Sequence, residues 1–193
     1  MDKYKYLVYN RVVRKRIISP LRRLAAGQHG YFTTNEARLL GATDQALHSL
    51  LKSGTIRRVS HGLYIVSDIL TSRLGSYYAA SQWPNAKGVL SHETALELLE
   101  LSDSNPIGIH ITVPRNYRTR RVLPKPYVLH RNNLEPSDII LVESVRVTSA
   151  RRTILDCIDA HIGADLLLQA IEQGFRRGHL NRQQFKDLQH RML

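Results

Sequence analysis

Histidines and carboxylates are the side chains here whose types could hold a metal or move a proton: His92 beside Glu93, then His110, His130, and Asp156 with Asp159. Their spacing does not fit known devices. A zinc-binding helix places two histidines one turn apart with a glutamate base beside the first, so that both imidazoles face one ion. Here the third residue after Glu93 is Leu96. Nowhere is an acidic residue followed two positions later by lysine, so the simplest carboxylate-x-Lys metal-nuclease signature is missing. A glycine-rich phosphate loop and a Gly-x-Ser-x-Gly elbow are missing too. Asp156 follows Arg151 and Arg152 at the spacing of an intrahelical ion pair. The single cysteine, Cys157, lies among Ile154, Leu155 and Ile158 and reads as a small buried hydrophobe. The expectation is no catalytic residue, no metal site and no cofactor, with a nucleic-acid-processing enzyme in the second half as the alternative from another class.

The other chemistry in the sequence is recognition of a polyanion. The formal charge is +12, from 28 Lys plus Arg against 16 Asp plus Glu, which favours nucleic acid over an anionic membrane. Residues 1–80 carry 13 basic and 4 acidic side chains, whereas 81–193 carry 15 and 12. The surplus lies at the front. There, a helix predicted from Thr43 to Ser53 gathers Leu47, Leu50 and Leu51 on one stripe and leaves Gln45, His48, Ser49 and Lys52 on the other face. Gln45, Ser49 and Lys52 are candidate readers of base edges, and His48 can donate to phosphate or base. Asp44 suits either the helix dipole or a cytosine. Next come two β-prone runs, Thr55 to Val59 and Leu63 to Val66, joined by Ser60-His61-Gly62. Arg57, Arg58 and His61 on this hairpin are candidate phosphate or minor-groove contacts. The competing reading is a three-helix unit for protein contact with a solvated polar face. Further on, Arg115, Arg118, Arg120, Arg121 and Lys125 crowd a loop between Pro114 and Pro126, and no acidic residue occurs between Asp103 and Glu135. That loop is either a second contact to DNA or RNA or a merely solvated turn.

The elements that must position these groups follow from caps and periodicity. Residues 1–18 form a basic arm with Lys3, Lys5, Arg11, Arg14, Lys15 and Arg16, fit to follow a DNA backbone or to remain a tail. After Ser19-Pro20, the spacing of Leu21, Leu24 and Ala25 predicts a helix ending near Gly27 to Gly30. Thr33 and Glu36 form a capping box for a second helix, Thr34 to Leu40, stopped by Gly41. Three short helices and a hairpin make residues 19–70 a winged helix-turn-helix, with a boundary near 70–75. Residues 76–193 read as a second domain, a mixed antiparallel sheet with helices, so the fold class is α+β. Its helices are expected around Ser76 to Gln82, from Leu90 to Leu101, and at Ser149 to Asp159, Gly163 to Gln173 and Asn181 to Met192. Its strands are expected at Ile107 to Val113, Tyr127 to His130, Ile139 to Val142 and Val145 to Val147. The basic start has no apolar core of signal-peptide length and no run is long enough to span a bilayer, so the expected location is cytoplasmic.

Two sets of blocks resemble the AbiE-type (AbiEi) antitoxins, the regulator halves of type IV toxin-antitoxin and abortive-infection pairs. One runs from Gly30-Tyr31-Phe32-Thr33 through Ala37, Gly41, Leu50 and Gly54 to RRVSHGLY at 57–64. The other comprises VLSHETALELLELSD (89–103), HITVP (110–114), VLHRNNLEPSDI (128–139) and VRVTSARRTILDCID (145–159). The resemblance spans roughly residues 20–160, with a longer basic arm and a shorter tail than the family pattern. It implies a repressor that binds inverted repeats near its own promoter through the winged helix. It also implies that the C-terminal domain neutralises a companion nucleotidyltransferase-like toxin, usually without a stable complex. A plain regulator without a toxin is the remaining alternative.

Overall fold

The computed structural model describes residues 16–83, 87–120 and 122–192. The chain is α+β and forms two compact units, one up to Ala79 and one from Ala80. The division falls inside a helix, α4 (Gly75–Gln82), rather than in the 70–75 stretch. The first half of α4 is held to the first unit: the Tyr78 hydroxyl donates to Gln28 Oε1 at 2.6 Å and the ring stacks on Tyr31.

The first unit starts with a helix over residues 16–26 (α1). Arg16, Ile17 and Ile18, expected to end the arm, are its first described turn, and Ile17, Leu21 and Ala25 enter the core at i, i+4 and i+8. Residues 1–15 of that arm lie outside the described residues. Then follow β1 (Tyr31–Thr33), α2 (Thr34–Leu39), α3 (Asp44–Lys52), β2 (Ile56–Ser60) and β3 (Leu63–Val66). The Thr33–Glu36 capping box forms in full: Thr33 Oγ1 accepts from the Glu36 amide, and the Glu36 carboxylate accepts from the Thr33 amide at 2.7 Å. Thr43 caps α3 by accepting from the Ala46 amide at 3.1 Å. The strands form an antiparallel sheet in the order β1-β3-β2, so β3 is central and buried along its length. The core gathers Phe32, Ala37, Leu47, Leu50, Ile56, Tyr64 and Val66 around α1.

The second unit carries, among its described residues, a five-stranded sheet in the order β6-β5-β4-β8-β7, from β4 (Val89–Leu90), β5 (Ile109–Val113), β6 (Tyr127–Arg131), β7 (Ile139–Val142) and β8 (Val145–Thr148). Helices α5 (His92–Leu98), α6 (Ala150–Asp159), α7 (Ala164–Arg176) and α8 (Arg182–Met192) pack in sequence. The expectation of antiparallel pairing holds for two ladders only. β4 pairs with β8, and β5 with β6, in parallel. Parallel neighbours need a long return connection, and the loop from Pro114 to Pro126 supplies it by carrying the chain back along β5. Leu90, expected to open a helix, instead sits in the central strand facing Ile111 and Val147, and the helix begins two residues later. On α7, Leu167, Ala170, Ile171 and Gly174 make the buried stripe, and Gly174 admits Leu180 so closely that a Cβ there would lie 2.9 Å from its Cδ1.

Candidate functional site

Helix α3 buries Ala46, Leu47 and Leu50 and turns the opposite side outward. Gln45, His48 and Lys52 are exposed and Ser49 is half-buried, and these four share one face at i, i+3, i+4 and i+7. Asp44 is engaged by Arg38, whose Nη2 lies 2.9 Å from Oδ1, so the last turn of α2 holds the first turn of α3. At its other end α3 runs directly into the hairpin. Ser53 Oγ donates to the Leu50 carbonyl at 2.9 Å, the Thr55 amide donates to the same carbonyl at 3.0 Å, and Gly54 takes a φ of 71° between them. A side chain at that φ is strained, so glycine allows helix and strand to meet in one tight turn.

On the hairpin, Arg57, Arg58 and His61 are all exposed. β2 is an edge strand, and Val59 is an extra residue in its ladder, because Arg58 faces Tyr64 while Ser60 faces Leu63. Such a bulge twists and re-aims an edge. Arg58 reaches along it, with Nη2 3.3 Å from His61 Nδ1 and Nε donating to the Ser60 carbonyl at 3.4 Å. Gly62, at φ 76°, closes the turn, and its carbonyl accepts from the Thr34 amide at 2.9 Å, tying the hairpin to α2. The structure thus brings the expected reading face and the basic hairpin next to one another on packed elements, α3 and β2.

In the second unit, Arg115, Arg118, Arg120 and Lys125 are exposed on the connection between β5 and β6, while Arg121 lies outside the described residues. Arg118 Nη1 donates to the carbonyls of Arg115 and Tyr117, at 3.0 and 3.1 Å, and the Arg115 amide donates to Asn133 Oδ1 at 3.0 Å. Glu93 faces His110 at 3.6 Å, and Glu100 pairs with Arg177 at 2.7 Å.

The expectation that the chain holds no clustered histidine ligands is corrected by the structure. His92, His110 and His130 each offer a ring nitrogen, and the three atoms lie within 4.8 Å of one another. Sequence spacing could not reveal this, since the residues come from α5, β5 and β6. The cause is the parallel register, which sets Thr112 against His130 and His110 against Val128, so both histidines occupy one face of the sheet. His110 Nδ1 is 3.0 Å from His130 Nε2, and the His92 ring stacks on His130 with centroids 3.6 Å apart. Burial is the leading cause that lowers all three rings: it pulls His92 down to about 3 and His130 down to about 4, helped by the neighbouring imidazoles, and lowers His110 against the pull of Glu93. Nearby on α6, Asp156 pairs with Arg152 as expected, and Cys157 is fully buried.

Residues 19–67 match the model of a family described as "Transcriptional regulator, AbiEi antitoxin". The chain also resembles in fold the crystal structure of the RV2827C protein from Mycobacterium tuberculosis, with a TM-score of 0.51 and 16% identity over 92% of this chain and 71% of that one. No curated protein matches the sequence. Among the described residues, no helix is long and apolar enough to cross a membrane.

Proposed function

We propose, from the match of residues 19–67 to the model of AbiEi antitoxin transcriptional regulators, that the chain is a duplex-DNA-binding repressor whose first unit works as a winged helix-turn-helix. The observation that carries this reading is the single outward face of α3, with Gln45, His48, Ser49 and Lys52, standing beside the exposed Arg57, Arg58 and His61 of the hairpin. A helix fits the major groove, the only groove in which all four base pairs present distinct donor and acceptor patterns. Its polar face reads bases while the hairpin cations grip phosphate. The bulge at Val59 and the Gly54 turn support the reading by holding the hairpin next to the helix.

On the same reading the protein is the antitoxin of a type IV pair. It represses its own operon at inverted repeats and neutralises a companion nucleotidyltransferase-like toxin without a stable complex, acting in the cytoplasm. It binds and does not turn over a substrate. The second unit, with its basic loop, is assigned the antitoxic role.

The deciding experiment is a gel-shift titration of the full chain on its upstream DNA and on random duplex of equal length, over a series of salt concentrations. Selective binding that weakens steeply with salt, as counterion release requires, supports the proposal. Equal affinity for both DNAs would remove it.

A further inference from the structure

We propose that His92, His110 and His130 form a site for a divalent transition metal of the zinc class. This does not depend on the DNA-binding reading. Three histidines from three elements converge, His92 buried and His110 and His130 half-buried, with their candidate ligand atoms within 4.8 Å of one another. Zn–N bonds of about 2.0–2.1 Å in a tetrahedron put ligand nitrogens about 3.3 Å apart. The His110 Nδ1 to His130 Nε2 separation, 3.0 Å, already matches that scale. Nitrogen donors suit zinc, copper, nickel or cobalt and do not suit magnesium or calcium.

The surrounding groups set which ring nitrogens are left for a metal. His92 Nδ1 lies 2.9 Å from Ser91 Oγ, which in turn accepts from the Thr112 hydroxyl at 2.7 Å. This leaves His92 Nε2 as the ligand atom. His110 Nε2 faces the Glu93 carboxylate at 3.6 Å, which assigns His110 Nδ1 to the metal and makes Glu93 the outer partner that fixes the ring. Ser91 precedes α5 but makes no side-chain cap for it, its hydroxyl being used by His92 and Thr112 instead.

The backbone points the same way. His92 has a φ of 51°, a left-handed conformation that strains a non-glycine residue. The strained residue is the one whose ring completes the cluster. Ligand lone pairs lie in the ring plane, so metal entry turns the His92 ring out of its stack on His130, and the fourth position is left for water. Such an ion would join α5 to β5 and β6, the two strands that flank the basic loop from Pro114 to Pro126, and would fix both roots of that loop.

The test uses the full chain, stripped with chelator and titrated with Co(II) and then Zn(II). The expected result is one equivalent of Co(II) with the visible absorption of a tetrahedral site, displaced by Zn(II), and a rise in Tm on adding zinc. His110→Ala and His130→Ala should each weaken binding beyond the roughly 10–100-fold that losing an outer-shell partner costs. His92→Asn tolerates positive φ and keeps a hydrogen bond to Ser91, so it separates loss of a ligand from loss of the fold; it should keep the wild-type Tm without metal and lose the cobalt spectrum. Absence of saturable binding in the wild-type chain overturns the proposal. So does binding that is unchanged when all three histidines are replaced.

Discussion

Arg152 and Asp156 stand one turn apart on α6, and both guanidinium nitrogens that contact the carboxylate choose the same oxygen: Nη2 lies 2.5 Å and Nε 3.0 Å from Oδ1. Oδ2 is buried with no hydrogen-bond partner among the described residues. Burial lifts the Asp156 carboxyl above its ordinary range against the pull of Arg152, while the carboxylate holds Arg152 charged. Asp138, 3.8 Å away, adds a second carboxylate to Arg152 and links α6 to the turn before β7.

Removing one member of a buried pair strands the other. Asp156→Ala should therefore destabilise the second unit by about 3 kcal/mol, the lower end for a broken buried pair because Arg152 keeps Asp138. Urea unfolding should record this as a lower midpoint at unchanged slope. A loss under about 1 kcal/mol would mean that the pair behaves as a surface bridge.

On its operator, the chain with Gln45→Ala or Lys52→Ala should lose about 1–3 kcal/mol of binding and little on random duplex, as expected when a base contact is removed. Arg57→Ala and Arg58→Ala should weaken both DNAs alike and each flatten the salt dependence by about one phosphate contact. Gel shifts at two salt concentrations measure both effects. Helix variants that lose affinity equally on both DNAs would place sequence reading outside α3.

The described cations of the basic loop, Arg115, Arg118, Arg120 and Lys125, are exposed, so their charges can be changed without touching the core. Arg115, Arg118, Arg120 and Arg121 all replaced by Ala should leave Tm and operator binding close to wild type while abolishing protection of cells that express the companion toxin. Full protection by a folded variant would show that the antitoxic surface lies elsewhere on the second unit.

Cys157 is fully buried, and burial with the charge of Asp156 pushes its thiol up to about 12. A raised thiol pKa keeps the protonated form, and only the thiolate is nucleophilic. Native protein should therefore resist alkylation even at pH 9 and react stoichiometrically in denaturant. Fast labelling of the folded chain would contradict the buried placement.

Local signals were legible wherever the chemistry that makes an element lies within a few residues. The Thr33–Glu36 box, the Thr43 cap, the stripe of Leu47 and Leu50 on α3 and the i, i+4 pair of Arg152 with Asp156 all follow from helical geometry, which fixes neighbours three and four residues apart. Helix start was less legible: Ile17 belongs to α1, but a basic stretch around it obscured its apolar period. What the sequence could not contain was the pairing of distant strands. Leu90 lies in the centre of the sheet because Ile111 and Val147 are its neighbours, and nothing near residue 90 encodes them. The same holds for the histidines. Eighteen residues separate His92 from His110 and twenty separate His110 from His130, and they meet because β6 pairs with β5 in parallel and α5 starts beside them. Side-chain spacing along a helix is set by covalent geometry, whereas convergence across a sheet is set by register, which depends on the fold closing as a whole.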